Sequence, residues 1–297
     1  MLQWPPKNGY VHMEKQMPID RQLVIPAMLA SAFAAVFVSV AAADTEIGTA
    51  VPAVRPMATD RPDTTESPIS VPKGWLQLEM TLADFTFDQF DGDRTQTFAA
   101  APFLLKIGLT DAIDLQLGMN GYVRIDTFGS GQDWREEGAG PFLARLKVNL
   151  WGNDAGEFMS GTALALLPFV VIPSPSEDIP PRSVDGGLIV PFALELGHAA
   201  SFGTMVELDF VHDDTDSIDL VGVMSATLGA TLVGPLGGYV EVVGETSLRG
   251  RGDTLAFFDA GLTWELSGNA RLDIGTRVGL TSESDDFGVF CGFSVRW

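Results

Sequence analysis

Cysteine, histidine and cations are scarce in this chain of 297 residues, and each scarcity closes off a class of function. A lone cysteine, Cys291, permits no internal disulfide, and it stands too far from the amino terminus to carry a lipoprotein anchor. Only His12, His198 and His212 could serve as a general base, and no nucleophile elbow, zinc motif or phosphate-cradling loop accompanies them. The 18 Lys and Arg residues face 39 Asp and Glu residues, a net charge of −21 that repels nucleic acid. Long apolar runs are missing too. Apart from one segment near the amino terminus, no uncharged stretch is long enough to cross a bilayer as a helix, although 46% of the residues are hydrophobic and 32 are glycine.

The exceptional segment runs from Gln22 to Ala43, follows the cationic Lys15 and Arg21, and ends in three alanines before Asp44. Basic n-region, apolar h-region and small-residue exit predict a secretory signal peptide over residues 1–43, cleaved after Ala43; an uncleaved anchor helix is the rival. Met1, Met13 and Met17 are alternative starts. Without the leader the chain carries about −22. Residues 44–74 are polar and broken by five prolines between Pro52 and Pro72, which cannot donate to a ladder. They are predicted to form an irregular periplasmic segment with the option of folding inward as a plug.

From residue 75 to 297 the pattern changes to alternation. The final stretch is the clearest case: Phe287, Val289, Cys291, Phe293, Val295 and Trp297 fall on every second position, with Gly288, Gly292, Ser294 and Arg296 among the residues between. Side chains of a strand alternate between faces, so one face is a continuous apolar band. Such a strand with an aromatic end looks like the signal that outer-membrane barrels present to the barrel-assembly machinery. Twelve such segments recur, including Gly138 to Leu150, Phe158 to Ile172 and Tyr239 to Leu248. An even number of strands suits a closed transmembrane antiparallel up-and-down β-barrel, an all-β fold that leaves no unpaired edge in lipid.

Short connections, such as residues 234–238, are expected to alternate with long acidic external loops that carry Asp88, Asp91 and Asp93; Asp133, Glu136 and Glu137; Glu177 and Asp178; Asp213, Asp214 and Asp216; and Glu283, Asp285 and Asp286. Trp75, Trp151, Trp264 and Trp297 all map to one end and predict a periplasmic aromatic rim. A secreted β-sandwich shares the alternation but accounts for neither the tryptophans nor the regular short and long connections.

The stretch Thr59-Asp60-Arg61-Pro62-Asp63-Thr64-Thr65-Glu66-Ser67-Pro68, then Pro72 to Glu79, resembles the opening of the outer-membrane transporter family named for the meta-pathway of phenol degradation. The hairpin Lys106 to Asp111 and Ile113 to Gly118 fits the same pattern, whereas Val171-Ile172-Pro173-Ser174-Pro175-Ser176 departs from the Leu-Pro-Thr-Gly type end expected for the fifth strand. The resemblance implies a channel or transporter for small molecules, with aromatic or hydrophobic compounds as cargo.

With the large apolar residues facing lipid, the opposite faces form the lumen. The candidate lining residues are Gln77, Glu79, Lys106, Asp114, Gln116, Arg145, Lys147, Asn149, Glu195, Glu207, Asp209, Glu241, Glu245, Asp259, Arg271, Asp273, Arg277 and Arg296. Asp114 and Gln116 are expected beside Arg145 and Lys147. Such pairs are expected either to set the selectivity of a polar pore or to salt-bridge the lumen shut. No catalytic residue, cofactor or metal site is assigned: Asp213-Asp214-Thr215-Asp216 lacks calcium-loop spacing, and His212 beside Asp213 and Asp214 is the single feature open to an outer-membrane hydrolase. The expected partners are outer-membrane lipid, the assembly machinery and a small-molecule solute, with no nucleic acid.

Overall fold

A computed structural model describes residues 54–297, except residues 91, 130, 132, 154–160, 177–178, 198, 213–216 and 250–253. The expected leader with its cleavage point, His198, the expected loop acids Asp91, Glu177, Asp178, Asp213, Asp214 and Asp216, and the start of the fifth predicted strand at Phe158 therefore lie outside the described residues.

Thirteen strand segments follow one another: β1 (Leu76–Phe90), β2 (Asp93–Gly108), β3 (Ile113–Phe128), β4 (Trp134–Gly138), β5 (Phe142–Trp151), β6 (Thr162–Ile172), β7 (Asp185–Glu195), β8 (Ala200–His212), β9 (Ile218–Val233), β10 (Leu236–Ser247), β11 (Thr254–Ser267), β12 (Ala270–Gly279) and β13 (Phe287–Arg296). β4 and β5 are two pieces of one stave, since both pair with β3, at Val123–Thr127 and at Ile113–Met119. All neighbours are antiparallel, and β1 pairs with both β2 and β13, which closes a barrel of twelve staves. Closure satisfies the ladder of every stave without water, the condition for crossing hydrocarbon with strands.

Burial is inverted relative to a water-soluble domain. Asp114 and Asp259 are fully buried, while Phe258, next to Asp259, is 39% exposed and Val278 is 41% exposed. Alternation explains this: each strand turns its large apolar residues outward to lipid and its polar residues inward. β6 departs from that rule, because its inward positions Ala163, Ala165, Leu167 and Val171 are apolar as well as its outward ones.

The strands outrun their predicted bounds at two places. The predicted turn over residues 234–238 shrinks to Gly234 and Pro235, because Leu236, Gly237 and Gly238 pair with Val233, Thr231 and Ala230. Gly234 takes a φ of +54°, which glycine adopts without strain, and Pro235 has no N–H to leave unpaired. At the opposite end Asp88, Asp93, Glu136 and Glu137, expected in loops, belong to β1, β2 and β4. Beyond the hydrocarbon the outward face can be charged while the ladder continues, as with Asp126, which lies 3.0 Å from Arg124 and 2.5 Å from Arg135. The loop after β6, where the chain departs from the family pattern, turns inward: Ile179 packs with Val123 and Ile125.

Tyr239 lies across the inward faces of Gly261 and Gly275. A Cβ on Gly261 would stand 2.5 Å from Tyr239 Cε1 and 2.5 Å from the Ile274 carbonyl oxygen. Gly261→Val must therefore displace the ring or the wall. The expected loss is about 1–3 kcal/mol, read as a lower temperature at which the folded barrel loses its heat-modifiable migration on a gel.

Candidate functional site

Pro56, Pro62, Pro68 and Pro72 keep residues 55–73 out of any ladder, so the remaining amides of this segment need partners elsewhere. Inward-facing wall residues supply them. Glu79 accepts from the backbone N–H of Asp60 and of Arg61 at 3.1 Å, and Glu241 accepts from Thr64 and Thr65 N–H at 2.7 Å each. Asp114 accepts from Val71 N–H at 2.8 Å, and Asn153 Oδ1 accepts from Ser70 N–H at 3.1 Å. The wall also donates: Gln77 to the Ala58 carbonyl at 2.7 Å, Asn149 to Pro68 at 2.9 Å and Arg296 to Arg55 at 2.9 Å.

Charge pairing follows the same lines. Asp60 sits 2.5 Å from Lys106, 2.9 Å from Lys147 and 2.8 Å from Arg145, and Lys106 also contacts Glu79. Arg145 grips Glu66 through two bonds of 2.5 and 2.7 Å and donates to Gln116, the forked geometry that suits guanidinium and carboxylate. Across the lumen Arg61 reaches Asp273 at 2.6 Å and touches Thr81, while Arg277 holds Asp259 at 2.5 Å and donates to Thr64 Oγ1 at 3.0 Å. Thr65 Oγ1 lies 2.6 Å from the Oγ of Ser225 on β9. Two glycines make room. A Cβ on Gly108 would collide with the Pro72 carbonyl, and one on Gly292 with the Arg61 guanidinium.

Of the residues predicted from sequence, Gln77, Glu79, Lys106, Asp114, Gln116, Arg145, Lys147, Asn149, Glu241, Asp259, Asp273 and Arg277 are brought together in this network. The register pairs Asp114 with Lys147 and Gln116 with Arg145. Arg271 donates to Thr59 Oγ1 at 3.1 Å and Arg296 to Asn269 Oδ1 at 2.7 Å, both near the end that bears the short turns. Trp75, Trp151, Trp264 and Trp297 stand at that same end: the Arg296 guanidinium lies 5.3 Å from the Trp75 ring, Trp151 donates to Thr162 at 3.1 Å, and Trp264 and Trp297 are half exposed. Asp209 and Glu245 lie apart, toward the far end of β8 and β10, Glu207 is close enough to Glu66 and Arg145 to feel their charges, and Glu195 is exposed at the turn end of β7. Sequence reasoning did not single out Asp60, Arg61, Thr64, Thr65, Glu66, Thr81, Asn153 or Ser225 as site residues. The first five stand in the stretch that carries the family resemblance, but a segment with no period gives no sign of which way its side chains face.

Burial opposes ionisation of Asp60, yet the cations Lys106, Lys147 and Arg145 hold its carboxyl well below the usual carboxylate range. For Asp63, burial and then the neighbouring Glu241 carboxylate push the carboxyl up to about 8. A carboxylate whose folded value is depressed stabilises the fold above its unfolded value and loses that effect only in acid. Asp63 has the opposite sign, its influence weakening the docked segment as pH rises toward 8. Asp60→Asn is expected to lower stability by about 3–5 kcal/mol, since three buried cations lose a shared counter-charge, measured as the shift in heat-modifiable migration. The native chain is expected to conduct more at pH 9 than at pH 7 in planar bilayers, and Asp63→Asn is expected to abolish that rise.

No curated protein matches the chain in sequence. Among solved structures it is similar to an outer membrane channel from Pseudomonas putida F1, with TM-score 0.58 and 8% identity over 81% of this chain and 100% of the other. The translocator domain of the autotransporter NalP from Neisseria meningitidis gives TM-score 0.47 and 11% identity over 76% and 90%, and an anion-selective porin from Comamonas acidovorans gives 0.37 and 6% over 75% and 99%. Residues 59–297 match the sequence profile of the family described as "Putative MetA-pathway of phenol degradation", and the chain belongs to that family.

Proposed function

We propose that this protein is an outer-membrane channel through which small molecules pass down their own gradient, with aromatic or otherwise apolar compounds as cargo. The observation that carries the proposal is the lumen itself: a closed barrel whose interior holds a proline-broken segment by hydrogen bonds and ion pairs to the wall. Such a segment leaves or shifts without disturbing the ladder, because it is not a strand. Membership of the family and the likeness to a channel barrel support the same assignment.

In this proposal residues 55–73 act as a plug and the wall residues that hold them set its affinity. Export by the amino-terminal leader, recognition of β13 by the assembly machinery and a non-enzymatic role complete it. His212 Nδ1 lies 2.8 Å from Asp185 Oδ1, which also accepts the His212 backbone N–H at 2.9 Å, so the ring serves as a strand-end anchor.

Arg145→Gln combined with Lys147→Gln removes the partners of Glu66 and part of those of Asp60. The double variant is expected to raise conductance in planar bilayers and to speed liposome swelling with small aromatic solutes several-fold. If neither the native chain nor this variant passes any solute, the transport proposal fails while the barrel stands.

A further inference from the structure

The charges of the lumen are unevenly divided along its axis. Lys106, Arg145, Lys147 and Arg277 all sit around the docked segment, and each already holds a carboxylate. Beyond them, toward the end away from the termini, no Lys or Arg of the described strand residues occupies an inward register position, whereas Glu207, Asp209 and Glu245 do. Glu207 pairs with Val223 and Val223 with Glu245, so the two glutamates flank one valine across three neighbouring strands, about 10 Å apart at ordinary strand spacing. Asp209 lies two residues further along β8, opposite Gly187, where a Cβ would come within 2.6 Å of its Oδ1.

Asp209 is not simply solvated. Asp209 is 5% exposed, yet its Oδ1 has no hydrogen-bond partner among the described residues, whereas the equally buried Asp185, at the neighbouring end of β7, is held through Oδ1 by His212. An uncompensated carboxylate in such surroundings is costly, which favours a cation from outside the chain. The walls around it are apolar: Ile189, Met205 and Val223 on one side, Val243, Leu255 and Phe257 on the other. No group of three or more His, Cys, Asp and Glu side chains suited to a metal ion occurs among the described residues, so bare metal coordination does not fit.

We infer that this vestibule binds organic cations, specifically ammonium groups carried on an apolar body, and that Glu207, Asp209 and Glu245 determine that preference. The apolar body packs on the valine, leucine and phenylalanine walls while the ammonium faces the carboxylates, and an anionic analogue is repelled. The inference rests on the channel proposed above for its physiological meaning but not for its detection, because binding is measurable without flux.

The test titrates the purified full chain, in a neutral maltoside detergent, with octyltrimethylammonium, octyl sulfate and octanol by calorimetry. Octyltrimethylammonium is expected to bind about ten-fold or more tightly than either of the other two, a gap typical of one well-desolvated charge interaction. Combining Glu207→Gln, Asp209→Asn and Glu245→Gln should erase the gap, while Glu265→Gln at the opposite rim leaves it intact. If the triple variant does not migrate as a folded barrel, Glu245→Gln alone, at a partly exposed position, is expected to narrow it. Equal binding of the three probes, tighter binding of the sulfate, or a preference that survives these substitutions overturns the inference. Cation binding without solute flux would remove the transport proposal and leave this one standing; flux with no charge preference would do the reverse.

Discussion

An unpaired backbone amide or carbonyl in hydrocarbon costs several kcal/mol. That constraint shapes this molecule twice. In the wall it forces the strands to close on themselves, β1 pairing with β13 as well as β2, so that no edge faces lipid. Inside, it reappears in milder form for the proline-broken segment, which has no ladder and takes its partners from Glu79, Glu241, Asp114 and Asn153. The lumen is thus charged because a non-repetitive piece of backbone must be satisfied there, as well as because lipid excludes polar groups from the outer face.

The arrangement also explains why a chain with 39 acids holds together. Its few buried cations are concentrated where they do most: Lys106, Lys147 and Arg145 share Asp60, and Arg277 neutralises Asp259 beside Glu241. Pairing of this kind adds little net stability compared with an apolar core, but losing one member leaves a buried charge uncompensated. Its value is specificity of position. A segment held by forked and shared ion pairs has one seat.

How far the sequence could be read varied with periodicity. Phe287 to Trp297 declared its strand and its two faces, and so did nearly every other stave, because a period of two is written into the residues themselves. The parity that placed Asp114 beside Lys147 followed from counting strands and turns. Errors arose where period gave no guidance. Glu136 and Glu137 read as loop because they are charged, yet above the bilayer a ladder accepts charge on its outward face; Leu236, Gly237 and Gly238 read as turn because glycine and proline cluster there, yet only Gly234 and Pro235 turn.

From its residues alone this chain determined that it would be an antiparallel barrel of twelve staves with a polar interior and an apolar exterior, since alternation, strand number and turn chemistry are local properties. The three-dimensional structure decided which interior groups meet. Asp60 and Lys106 are 46 positions apart and Arg61 and Asp273 are 212 apart, and nothing local records that separation. Only closure of the barrel around an aperiodic segment brings them within bonding distance, because a side chain without a repeat takes its direction from its surroundings.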